Sequence, residues 1–529
     1  MIPPWPLSLT LTLLSLTCLS IIYHTYQRLA TTASRRRHLI ATNNCKPIRK
    51  WRNRDPILGL DFLWASYRAF REHRALAMTK ERFDVLGVMT LQMAILGFTM
   101  VVTTEPENVK CVLASEFRSY SLGDARKRML RPLLGEGIFT TDGKEWQHSR
   151  DMLRPNFVRT QIGDVEMFEN HVAHLIQAIP RDGSTVGLQD LFFGFSLDVA
   201  TDLLFGESTN TLAPGFANAE VTEFVDAYGY CLQALEGVGF TEEETGYMQM
   251  IWGFLGLFLP NPKLKQQLGV VNKFVDKLVE NAMKDRDARK SEPEQHPNTR
   301  YVFLHELVSQ TSNKIKIRSE LLNILLAGRD TTASMLSNVW FELANRPDVW
   351  RRLRREVDAL DGAFPTFERL KDMKYLRAVL NESLRLHPVV PENDRQAEVD
   401  TVLPVGGGED EKSPVFVKKG QLVHWSLYSM HRRKDLYGED AEDFKPERWL
   451  DEGGKKGLRV GWEYLPFNGG PRICIGQQFA LTEASYVTVR LMQEFPSIES
   501  RDPEPWREKL TITCTGLGGC KVALFPQRT

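Results

Sequence analysis

The stretch Phe467-Asn468-Gly469-Gly470-Pro471-Arg472-Ile473-Cys474-Ile475-Gly476 decides the reading of this chain. Its pattern is F-x-x-G-x-R-x-C-x-G, directly before an amphipathic segment. Glycine lets a backbone fold closely around a bulky planar ligand. Such a loop presents backbone N–H groups around Cys474, and the start of the following helix adds positive potential. Both effects favour a thiolate. Arg472, two residues away, is placed to pair with a carboxylate of whatever the sulfur holds. At this chain's own residue frequencies the five fixed positions arise by chance roughly twice in ten thousand such chains. A buried structural cysteine is the plain alternative.

Further patterns precede the loop. Trp146 and Arg150 stand four apart, on one helix face. Ala327-Gly328-Arg329-Asp330-Thr331-Thr332 follows an apolar run, Leu321 to Leu326, with residues that form helix poorly. Local rule-breaking of this kind points to a functional opening in the helix backbone. Glu382 and Arg385 lie at i, i+3, and Arg448 stands in Phe444-Lys445-Pro446-Glu447-Arg448-Trp449. On a surface these charges would be worth little. Buried together, they would brace the loop of Cys474, and removing one would strand a charge.

Together these motifs resemble the cytochrome P-450 superfamily of haem-thiolate monooxygenases, over essentially the whole chain. The resemblance implies a mainly α fold with a minor β-sheet region, a triangular helical prism around haem. It implies haem b with Cys474 as the axial iron ligand and with Phe467 and Gly476 in the haem loop. Trp146, Arg150, Arg395 and Arg472 are the implied propionate contacts. A thiolate ligand pushes electron density toward oxygen and favours O–O cleavage. Splitting O2 with two electrons consumes two protons, so a relay is needed. Asp330 and Thr331 are the catalytic residues expected to provide it. At this length there is no room for a fused reductase. Electrons are expected from an NADPH–cytochrome P-450 reductase, with cytochrome b5 as a second donor, docking near Cys474 through basic residues.

Gly59-Leu60-Asp61, Thr104-Glu105-Pro106-Glu107-Asn108, the segment 132–139, Met152-Leu153-Arg154-Pro155, and Asn393-Asp394-Arg395 with Gly406-Gly407-Gly408 look like the fungal microsomal alkane and fatty-acid hydroxylase branch. That implies hydroxylation of a long aliphatic chain. Oxidation of a polyketide or terpenoid intermediate in secondary metabolism is the alternative. A haem-thiolate isomerase or dehydratase and a non-catalytic haem sensor are the competing classes. The first needs no proton relay, so Asp330-Thr331 argues against it. The aromatic stretch from Phe224 to Phe258 reads as an apolar entrance or as ordinary helix core. Arg126 and Arg128 are candidates for a substrate carboxylate clamp.

Composition narrows the rest. The chain has 529 residues, with 67 basic and 67 acidic side chains, 42% hydrophobic and 25% charged. That is globular composition, and the charge balance disfavours a nucleic-acid binder. Seven cysteines are too few for a disulfide scaffold and fit a reducing compartment, with Cys514 and Cys520 as free thiols. His171 and His174, at i, i+3, read as an exposed helix face rather than metal ligands.

The charge is unevenly placed. Residues 1–54 hold nine Lys/Arg and no Asp or Glu. Leu7 to Tyr23 is uncharged, at the short end of a bilayer span. The expected organisation is a membrane anchor over 1–27, a basic hinge over 28–54 and the monooxygenase domain over 55–529. Basic residues after the anchor put the amino terminus in the lumen and the domain in the cytosol, single-pass at the endoplasmic reticulum. They are also placed to meet anionic membrane lipid. A cleaved signal peptide or a buried core helix are the other readings. Amphipathic helices are expected near 64–82, 144–178, 187–206, 216–236, 264–290, 316–346, 366–387 and 476–495. Strands are expected near 86–103 and 389–425, with Gly406-Gly407-Gly408 as a turn.

Overall fold

The computed structural model describes residues 7–157, 165–215, 218–235, 261–291, 302–454 and 456–527. Helices dominate. The central one, Lys314–Asn345, is buried along nearly its whole length and packs against the helix Leu188–Phe205. Trp340, Phe192 and Phe195 are fully enclosed where the two meet. Asn313 caps the central helix by accepting from the N–H of Lys316, which satisfies one of its free donors.

The expected helices are present, several of them divided. Residues 64–82 form Leu60–Arg71 and Ala75–Leu86, parted at His73, whose φ is 54°. Residues 366–387 form Phe367–Asp372 and Lys374–Leu386. Asp124–Leu134 and Pro347–Asp358 are helices that the periodicity did not single out.

The main sheet has six strands, in the order Arg49–Lys50, Thr90–Ile95, Phe98–Thr103, Leu422–Ser426, Glu392–Ala397, Tyr120–Ser121. Antiparallel pairing sets Arg395 opposite Val423 and Asn393 opposite Trp425. The three glycines at 406–408 are not the turn itself. Gly406 and Gly407 end the strand Thr401–Gly407, where its pairing slips register. A Cβ on Gly407 would meet the Pro414 carbonyl at 2.7 Å and that of Lys46 at 2.9 Å, so close backbone approach is the reason for glycine there.

The amino-terminal helix runs unbroken from Leu7 to Thr42, across the boundary expected between 27 and 28. Its far end is tied to the body. Arg36 makes a two-pronged ion pair with Asp400, Nε to Oδ2 at 2.8 Å and Nη2 to Oδ1 at 3.1 Å. The Lys419 N–H also donates to Asp400. The segment 28–42 is thus helix, joined to the body at Arg36. No helix among the described residues is long and apolar enough to cross a membrane. Six Ser/Thr within Leu7 to Tyr23 dilute the apolar run. Of the aromatic stretch from Phe224 to Phe258, the part from Phe240 onward lies outside the described residues.

Candidate active site

The Cys474 loop is held by its own backbone. The N–H of Cys474 donates to the Phe467 carbonyl at 3.0 Å, and that of Ile473 to the Gly470 carbonyl. Gly470 has φ 66°, and a Cβ there would run into the Leu113 carbonyl. Gly476 caps the helix Gln477–Glu494 and is not sterically forced, since its Cβ would sit 3.6 Å from the Phe157 ring. It does line the cavity, as do Phe467 and Cys474.

That cavity measures about 340 Å³. Cys474 has open surface, and that surface faces the cavity rather than bulk water. The loop alone does not make it a thiolate. Burial raises the Cys474 thiol above its ordinary value, and the Gly476 N–H and the Arg150 charge only partly offset this. A metal cation at the sulfur would ionise it. Among the described residues no group of three or more His, Cys, Asp or Glu could hold a metal ion. A porphyrin, which brings its own nitrogen ligands, fits a lone cysteine.

The cavity also gathers positive charge. Trp146 and Arg150 reach it from the helix Gly143–Leu153, Arg126 from Asp124–Leu134, Arg395 from its strand and Arg472 from the cysteine loop. Arg126 Nη1 and Arg395 Nη1 share the Asn393 Oδ1 acceptor at 2.8 and 3.1 Å. Arg472 pairs with Asp142 at 2.7 Å and lies 4.5 Å over the Trp146 ring. Arg150 donates to the Ile473 carbonyl at 3.0 Å. Burial, then the charges of Arg126 and Arg472, push Arg395 down to about 9. Asp142 is the one carboxylate paired with this group among the described residues. Four guanidinium groups against so little negative charge suit the two propionates of haem. Arg126 thus stands in the same group as Arg395 at the cavity, and Arg128 is exposed and away from the cavity. The shared Asn393 acceptor appears only in three dimensions.

On the facing wall, Ala327, Gly328, Thr331 and Thr332 line the cavity from the central helix. The expected opening of that helix is absent: it is continuous α-helix, and Thr331 Oγ1 donates back to the Ala327 carbonyl at 2.6 Å. Packing of the buried helix outweighs its weak local propensity. Asp330 does not line the cavity. It is buried and paired with Arg329 at 2.9 Å, and burial raises its carboxyl.

The charge triad comes together. Arg385 meets Glu382 in two-pronged fashion at 2.8 and 2.9 Å, both fully buried. Arg448 Nε reaches Glu382 Oε1 at 2.8 Å, and the Trp449 indole donates to Oε2 at 3.0 Å. Arg385 also donates to the carbonyls of His431, Ala441 and Asp443. His431 escaped the sequence reading. Its Nε2 accepts from the N–H of Leu465, two residues before Phe467. The histidine pair is also not the exposed face expected. His171 is buried and bonded to Asp202 at 3.0 Å, and His174 is half-buried. All seven cysteines are free thiols.

The cytochrome P450 family model matches residues 72–516. The chain belongs to the cytochrome P-450 family. It is 43% identical over 498 residues to cytochrome P-450 monooxygenase himC of Aspergillus japonicus, covering 94% of this chain and 86% of that one. Cytochrome P-450 monooxygenase fsdH of Fusarium heterosporum is 42% identical, over 92% and 84% of the two chains. Cytochrome P-450 52A12 of Debaryomyces hansenii is 41% identical, over 89% and 90%. This P-450 is accordingly a haem-thiolate monooxygenase that takes electrons from a reductase partner.

Proposed function

We propose that this P-450 hydroxylates an unactivated C–H bond of a long aliphatic or fatty-acid-like substrate. The observation that carries the proposal is the division of the cavity. Leu122, Leu130, Ile324, Leu326, Val389 and Ile512 give an apolar wall. The arginines that line it, Arg126, Arg150, Arg395 and Arg472, form the cationic group suited to propionates. Among the described residues no further Lys or Arg lines the cavity for a substrate carboxylate. Substrate is then held by burial of its chain, worth about 0.8 kcal/mol per CH2.

The residues divide the work. Cys474 supplies the sulfur ligand, and Trp146, Arg126, Arg150, Arg395 and Arg472 hold the propionates. Bound haem supplies oxygen activation with electrons from an NADPH-dependent reductase, with cytochrome b5 as a second donor. The apolar wall excludes water and presents the C–H bond. The Thr331 hydroxyl, at the cavity wall, holds a proton for the oxygen. The amino-terminal helix exposes Leu14, Leu16, Leu19, Ile21 and Ile22, and basic residues follow, which supports residence at the endoplasmic reticulum membrane with the catalytic body cytosolic.

The test is the absorption spectrum of the reduced, carbon-monoxide-bound protein, wild type and Cys474→Ser, followed by turnover with fatty acids and alkanes. A strongly red-shifted band that needs Cys474, with hydroxylated chains as product, supports the proposal. The same band with turnover only of polyketide or terpenoid substrates replaces the substrate reading. Loss of the band in the wild type ends both.

A further inference from the structure

We infer that Glu483 is a proton donor to this cavity, oriented and recharged by the hydroxyl of Thr332 beside Thr331. The inference rests on the monooxygenase reaction and not on the identity of the substrate. Glu483 projects from the helix that follows the cysteine loop, lines the cavity and is 1% exposed. Its Oε2 accepts from Thr332 Oγ1 at 3.3 Å, a long bond. Its Oε1 has no protein partner among the described residues. Asp330, the acid expected in this role, is turned to Arg329 and lies off the cavity wall.

A carboxylate in such surroundings would be charged, desolvated and supported by one weak hydrogen bond. Neutralisation by a proton is the way out. Burial raises Glu483 to about 8, with only the Thr332 bond opposing. The group therefore enters neutral solution as a carboxylic acid with its O–H on the unpartnered side. A threonine hydroxyl passes a proton on but holds no surplus one. Glu483 supplies what the hydroxyls of Thr331 and Thr332 lack.

The balance closes without another reagent. Hydroxylation consumes O2, two electrons and two protons, and releases one water beside the alcohol. Glu483 gives one of the two protons into the cavity and becomes a carboxylate, and solvent water gives the other. Glu483 regains a proton from water by way of Thr332, so the residue is unchanged after each turnover.

The experiment compares the haem-loaded wild type with Glu483→Gln, Glu483→Asp and Thr332→Val. Infrared difference spectra of the resting protein at pH 7 are expected to show the carbonyl band of a protonated carboxyl group, shifted in D2O and missing from Glu483→Gln. Thr332→Val keeps the band and moves it to higher frequency, since the hydrogen bond is gone. In turnover, Glu483→Gln forms several-fold less product per NADPH, with the electrons recovered as hydrogen peroxide, and Glu483→Asp restores part of the yield. Hydroxylation driven by added peroxide falls less than NADPH-driven hydroxylation, because peroxide carries both protons in and they need only be moved. A wild type without the carboxyl band overturns the inference. So does a Glu483→Gln protein whose product yield per NADPH is unchanged. A protein lacking the haem-thiolate spectrum altogether fails the site reading instead.

Discussion

The imidazole of His431 donates from Nδ1 to the backbone oxygen of Arg385 at 3.1 Å. Its other nitrogen accepts from the Leu465 N–H at 3.3 Å, which fixes the neutral tautomer. One ring thus joins the buried charge triad to the approach to the cysteine loop.

Burial, then the charge of Arg385, depress His431 from its ordinary 6.5 to about 3. The unfolded chain therefore takes up this proton first as pH falls. The stability contribution is whole above about 6.5 and is lost toward 3, at about 1.4 kcal/mol per pH unit between them. His431→Gln, which donates and accepts without titrating, is expected to flatten the fall in Tm between pH 7 and 5. Parallel Tm curves for the two proteins would refute this.

Arg385→Ala leaves Glu382 buried with Arg448 as its remaining cation and strips the Arg385 bond from three backbone carbonyls, of which that of Asp443 keeps Arg448. The expected loss is about 3–5 kcal/mol, the range for breaking a buried pair. Haem and fold should go together, read as soluble yield and as the reduced carbon-monoxide spectrum. A folded, haem-replete Arg385→Ala protein would show that the brace is dispensable.

The two glycines of the loop should behave differently. Gly470→Ala meets the Leu113 carbonyl from a left-handed backbone, so thermal denaturation is expected to show a lower Tm. Gly476→Ala meets only van der Waals contact and should melt as the wild type does, while its methyl, facing the cavity, lowers haem loading per chain. Equal Tm for both variants would contradict the geometry.

Thr331→Ala removes the hydroxyl at the cavity wall and leaves the helix intact. Haem content should be unchanged while peroxide rises at the expense of product, and Thr331→Ser should recover coupling. Product per NADPH equal to wild type in the alanine variant would remove Thr331 from proton handling.

Asp400→Asn should loosen the amino-terminal helix without touching the site. The pair is partly exposed, so about 0.5–1 kcal/mol is at stake. Hydrogen exchange over residues 28–42 is expected to speed up by up to about fivefold, with the haem spectrum constant. Unchanged exchange would mean that other contacts hold the helix.

Fold class was legible because Cys474, Trp146, Arg385 and Arg448 stand in fixed spacings, and because helix periodicity survives in amphipathic segments. The site was half legible. Local pattern brought Cys474, Arg472 and Arg150 to one cavity correctly. It misplaced Asp330, because sequence adjacency to Thr331 puts the two on different faces of a helix that stays closed. It missed Glu483 and His431 and named Arg126 without its setting, since each gains its meaning from a partner far along the chain: Thr332, Leu465 and Asn393. The ion pair that ties the basic segment to Asp400 was out of its reach, because the two residues stand more than half the sequence apart.

That pin has a mechanical result. At 1.5 Å per residue, roughly 44 Å of helix extends from Arg36 toward the amino end. Tied near one end, it transmits to the catalytic body only as much of a tilt at its tip as a pair worth about 0.5–1 kcal/mol can carry, so Arg36 and Asp400, which take no part in the chemistry, set how firmly the two move together.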